Sequence, residues 1–166
     1  NDGDSASMLK AAGAGDRRQY TLSAWVKRGV LGTEQQIWAF RETSSNVSGI
    51  FFNGDNKLEI TDYQSGNVMR LITTAVYRDV GAWYHVCLAV DSEQGTAANR
   101  VKLYVNGVQV TVFDTADYPD EDADLYVNVD GENNYIGTEQ SGRYFDGYMA
   151  EVVFIDGTQN AVTSFG

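Results

Sequence analysis

His85 and Cys87, in the stretch "WYHVCLAVD", are the only histidine and the only cysteine of the chain. Two residues apart on a strand they share a face, so they could hold a metal or form a nucleophile–base pair. Zinc, however, needs three or four ligands, and no second histidine or cysteine exists to complete a set. A Cys–His couple works by converging from separate parts of a fold, which neighbours on one strand do poorly. A Ser-His-Asp triad would have to use the same imidazole, and no serine sits in a G-x-S-x-G elbow. Both residues therefore read as structural members of a packed strand.

Carboxylates are the remaining route to catalysis, since glycoside hydrolysis needs only two of them. With 23 acidic residues their mere presence carries no information. Sandwich glucanases set acids as E-x-D-x-x-E along a strand, and neither "LEITDY" nor "AEVVFIDG" has that spacing. No catalytic residue is nominated, and the expectation is a protein that is not an enzyme. Asp120, Asp122 and Asp124 alternate in "DTADYPDEDADLYVNVD", a spacing by which a loop can present oxygens to calcium. The glycine and distal glutamate of an EF-hand are missing, so the alternative is a solvated acidic loop that discourages edge pairing. For sugars, an aromatic ring offers a face to the C–H side of a pyranose. Trp38, Tyr118 and Tyr144 lie nearest polar or loop sequence and are the glycan-binding candidates. Trp25 and Trp83 alternate with apolar residues and are expected to be buried.

The elements that would carry these residues are strands. "YTLSAWVKR" sets Tyr20, Leu22, Ala24 and Val26 against Thr21, Ser23, Trp25 and Lys27, the period of a strand. "IWAFRE", "GIFFNGDNKLEITDY" and "VMRLITTAVY" continue the pattern, with Asn53-Gly54 as a turn. Around His85 both faces are apolar, as in a strand covered on both sides. Asn106-Gly107 divides "VKLYV" from "VQVTVF" as a two-residue hairpin turn. Short strands follow in "NNYIGTEQ" and "YFDGYMAEVVFIDG". The only helical signal is a turn near Met8–Ala12.

Composition narrows the partners. Twelve basic residues against 23 acidic ones give a net charge of −11, with no basic residue between Lys102 and Arg143. Nucleic acid and anionic membrane surfaces are disfavoured, because phosphate binding needs a basic stripe. No apolar run approaches the roughly 18 residues of a membrane span, so no membrane insertion is expected. The 43% hydrophobic content supports a real core. Residues 1–166 are read as one domain, and the start at Asn1 suggests a segment of a longer protein.

Taken in order, "YTLSAWVKRG", "YRDVGAWYHVCLAVD", "VKLYVNGVQV" and "YIGTEQSGRYFDGYMAEVVFIDG" resemble the laminin G-like, concanavalin A-like lectin/glucanase domains. The form they resemble most is that of structural proteins of tailed bacteriophages, over nearly the whole chain. The resemblance implies an all-β fold, a concanavalin A-like (laminin G-like) antiparallel β-sandwich jelly roll of roughly 12–14 strands. It makes Trp83 and His85 fold markers and Phe145 to Val152 part of the returning terminal strand. It also implies a non-enzymatic module on a virion surface, in a tail fibre, capsid fibre or decoration protein. The task would be weak, multivalent adhesion to host-surface glycans, with the domain borne on a homo-oligomer. The alternatives are a purely structural domain packed against other virion proteins and, less favoured, a carbohydrate-active enzyme.

Overall fold

A computed structural model describes residues 6–140 and 142–165. The chain begins with strands β1 (Met8–Ala11), β2 (Gln19–Arg28), β3 (Gln35–Thr43) and β4 (Asn46–Phe52). Next come β5 (Leu58–Gln64), β6 (Asn67–Thr73), β7 (Tyr84–Asp91) and β8 (Val101–Val105). β9 (Val108–Val110), β10 (Phe113–Asp117), β11 (Asn133–Ile136) and β12 (Gly147–Asp156) complete the set. They form a seven-stranded sheet, β1-β11-β3-β4-β5-β6-β10, and a five-stranded sheet, β12-β2-β7-β8-β9, all paired antiparallel. Among the described residues helix is confined to single turns at Ala97–Arg100 and Val162–Phe165. The all-β sandwich is the one the sequence leads one to expect.

Strand alternation delivers the core. Tyr20, Leu22, Ala24 and Val26 from β2 and Val86, Leu88 and Val90 from β7 point inward from the smaller sheet. Trp38, Phe40, Ile50, Phe52, Leu58, Ile60, Met69 and Leu71 meet them from the larger one, each no more than 1% exposed. Fully burying a side chain of this size contributes about 1.5–3 kcal/mol. Stacking at the centre is aromatic, with Trp38 5.3 Å from Phe154 and 6.0 Å from Tyr20 between ring centroids.

Two local expectations change. Met8–Ala11 is not a helical turn but an edge strand, because pairing with β11 supplies its backbone partners. The Asn53-Gly54 turn is a wider loop in which the Asn53 side chain accepts from the amides of Asp55 and Lys57. The positive φ falls on Asn56, at 64°. Asn106-Gly107 does make the tight hairpin, with φ of 51° and 77°.

Candidate functional site

The outer face of the seven-stranded sheet holds a trough of about 590 Å³. On β4 the outward positions are Val47, Gly49 and Phe51, and on β5 they are Glu59, Thr61 and Tyr63. Register aligns Gly49 with Thr61, Thr61 with Arg70 on β6, and Arg70 with Asp117 on β10. One cross-strand row thus runs from Gly49, which the Gln36 side chain covers, through a small threonine to a charged pair of positions. The flanking rows are taller: Val47 faces Tyr63, and Phe51 faces Glu59. Thr61, small between larger neighbours, makes the floor of the trough. Gly49 cannot carry a side chain, since a Cβ there would lie 2.5 Å from Gln36 Nε2 and 2.7 Å from the Trp38 carbonyl oxygen.

Ion pairs hold the polar groups in place. Arg70 donates from Nε to Glu59 Oε1 at 2.8 Å, and Asn53 Nδ2 donates to Glu59 Oε2 at 3.2 Å. Both oxygens of the buried Glu59 are therefore engaged, which fixes the Arg70 fork. Arg143 closes one end, its guanidinium 5.2 Å from the centre of the Phe51 ring. Its Nε lies 2.7 Å from Glu34 Oε2 and 3.5 Å from Glu139 Oε1, and Arg41 reaches the same Glu139. The loop between β11 and β12 is so pinned over β3. What remains open is a tyrosine ring, Tyr63, 39% exposed, among amide, hydroxyl, guanidinium and carboxylate groups from Asn67, Thr61, Arg70 and Asp117. Such a surface can stack one sugar ring and hydrogen-bond its hydroxyls.

The aromatic candidates of the sequence do not converge. Trp38 is 1% exposed, its indole sandwiched in the core, so it offers no face to a ligand. Tyr118, just after β10, is partly buried against the core, which pushes its phenol pKa upward. Tyr144 is exposed, beside the Arg143 that ends the trough. Conversely, Trp83 is 41% exposed and Trp25 half-buried on the outer face of the smaller sheet, where burial was expected.

The acidic loop is a latch. Arg18 Nε donates to Asp124 at 2.8 Å, and Arg18 Nη1 reaches Asp122 at 3.5 Å. The Arg18 hydrogen bond and charge hold the Asp124 carboxyl below its usual range. Asp120 is exposed. Leu125 and Val127, immediately after, are fully buried and plug the sandwich. Among the described residues no three His, Cys, Asp or Glu side chains gather as a metal site.

His85 and Cys87 sit on the outer face of β7, as the alternation implies. His85 Nε2 is 2.8 Å from Ser23 Oγ, and the ring stacks under Trp25 at 4.9 Å. Burial pushes the imidazole pKa down, with a weaker opposing effect from Glu151. Burial likewise pushes the Cys87 thiol up to about 11, the reverse of an activated nucleophile.

Two antiparallel sheets with a polar, aromatic-flanked trough on the larger one define the class of concanavalin A-like β-sandwiches. Residues 1–161 match the Concanavalin A-like lectin/glucanases superfamily, and the chain belongs to it. No curated protein is close enough in sequence to count as a relative. Among solved structures, domain 4 of AbnA, an extracellular arabinanase from Geobacillus stearothermophilus in complex with arabinotriose, is similar at 18% identity. The match has a TM-score of 0.69 and covers 93% of this chain and 68% of that one. Mouse laminin α1 domains LG4-5 match at 14% identity and TM-score 0.66, over 93% of this chain and 40% of that one. The CBM40 of a Ruminococcus gnavus sialidase, bound to α2,3-sialyllactose, matches at 12% identity and TM-score 0.58, over 96% and 94%. At such identities the likeness is one of fold.

The trough residues escaped the sequence reading. Alternation in "LEITDYQ" already places Glu59, Thr61 and Tyr63 on one face, and that was the available signal. Which side chains lie across from them depends on pairings with β4 and β6.

Proposed function

We propose that the protein is a non-enzymatic glycan-binding module whose ligand lies across the trough. The observation that carries this is the row Thr61–Arg70–Asp117, which lines one trough together with the rings of Phe51 and Tyr63. Tyr63 stacks on one sugar ring, while Arg70, Asn67 and Asp117 take its hydroxyls. Arg70 is paired with Glu59, and Arg143 with Glu34 and Glu139, so the reading favours neutral sugars over acidic ones. Among similar folds the AbnA domain holds neutral arabinotriose and the CBM40 acidic sialyllactose, so the preference rests on the ion pairs of this chain.

A single open trough binds weakly. The module is therefore proposed to act in several copies on a homo-oligomer, where linked sites raise avidity by about 10²–10⁴. The succession of sequence motifs supports a place on a virion surface, with host-surface glycans as the target. A packing role against other virion proteins is the second reading, favoured by Val108 on the edge strand β9 and Val112 in the link to β10, 70% and 63% exposed.

The test is a glycan array with the multimerised protein, comparing wild type with Tyr63→Ala. Neutral oligosaccharides should bind, and Tyr63→Ala should lower the affinity about tenfold. No binding by the wild type would transfer the case to the packing role. Cleavage of a bound glycan would contradict the non-enzymatic reading.

A further inference from the structure

The outer face of the five-stranded sheet carries a second concavity, independent of the trough. Trp25 on β2, Trp83 just before β7, and Ala150 and Glu151 on β12 line a notch of about 320 Å³. Register places Trp25 between Ala150 and His85, and stacking on His85 at 4.9 Å holds its indole. Trp83 is 41% exposed, and the 67% exposed Tyr148 tilts against it at 6.5 Å. Glu151 reaches this face through a break in alternation. The β12 register shifts between Ala150 and Val153, and Glu151 has φ of 51°, a conformation that side-chain-bearing residues seldom adopt.

The lining chemistry is narrow: two indoles, one methyl and one carboxylate. A sugar ring wants several donors and acceptors around its rim, which this notch lacks. An anion would meet Glu151 and a chain of net charge −11. A methylated ammonium group needs no hydrogen bonds, only aromatic faces and a counter-charge. Lys27, across from Tyr148, is not part of the lining. We propose that this notch binds a quaternary ammonium group, held against the Trp25 and Trp83 indoles and neutralised by Glu151.

Trp38 is buried, so a ligand at the surface reports through Trp25 and Trp83 alone. The experiment titrates tetramethylammonium chloride against tryptophan fluorescence, with sodium chloride holding ionic strength constant. The proposal expects a saturable change, at least fivefold weaker in Glu151→Gln and lost in Trp83→Ala. Neopentyl alcohol, of similar bulk but uncharged, should bind at least fivefold more weakly than the cation. A linear response without saturation overturns the proposal. So does equal binding of the neutral compound, or an unchanged affinity in Glu151→Gln. Should Trp83→Ala fail to fold, Glu151→Gln and the neutral compound decide the matter by themselves.

Discussion

Arg70 on β6 donates from Nε to Oε1 of Glu59 on β5 at 2.8 Å, joining a half-exposed cation to a carboxylate that is 9% exposed. This pair sets the polar edge of the trough. Its worth lies between the small value of a surface pair and the larger one of a buried pair. Arg70→Met is expected to cost about 1–2 kcal/mol in urea unfolding, because Glu59 keeps only the Asn53 amide. It should also weaken glycan binding, as Arg70→Lys should with a smaller loss of stability. A variant with unchanged stability would show that Glu59 is solvated without its partner.

Trp38 and Tyr144 were both candidates for sugar contact, and the structure separates them sharply. Trp38→Ala should cost about 3–5 kcal/mol, the range for an aromatic removed from a packed core. Tyr144→Ala, at a 43% exposed loop position, should stay within about 0.5 kcal/mol. Equal effects in thermal or denaturant unfolding would contradict the placement of Trp38.

His85 makes an acid-side prediction. Burial holds its folded pKa below the ordinary 6.5, so the unfolded chain takes up the proton first as pH falls. Its contribution to stability is intact above about pH 6.5 and declines from there down to the folded pKa. Stability measured from pH 7.5 to 5 should therefore fall more steeply in wild type than in His85→Gln. Identical slopes would mean that the imidazole titrates normally.

The Asp120–Asp124 loop supplies a metal test. Asp122 and Asp124 are engaged by Arg18, and Asp120 stands outside that cluster. Calcium and EDTA are expected to give the same Tm, whereas Arg18→Ala should lower it by releasing the latch. A calcium-dependent rise in Tm would restore the loop as a cation site.

Much of this fold is legible in the sequence because alternation is a local property. β2, β7 and the Asn106-Gly107 hairpin stand where the period of two and the turn chemistry put them. Trp38 misled because its neighbours Gln35 and Gln36 look like surface residues, yet both are 1% exposed. A register shift between Gln36 and Trp38 sends them to opposite faces, Gln36 outward beside Phe51 and Trp38 into the core beside Ile50. Trp83 misled in the opposite sense. It shares a face with His85 and Cys87, but the cover over those two stops short of the strand's end. The trough was illegible for a different reason, since its floor and walls come from four strands whose register is set by long-range pairing.

The central claim is that glycan lies across Thr61, Arg70 and Asp117, and backbone amide chemical shifts test it most directly. A 15N-labelled sample titrated with the strongest neutral array ligand should show its largest changes on β5, β6 and β10, centred on Thr61 and Arg70. Tyr63→Ala should suppress them. Changes confined to the five-stranded sheet or the Asp120–Asp124 loop, with the trough silent, would contradict the account.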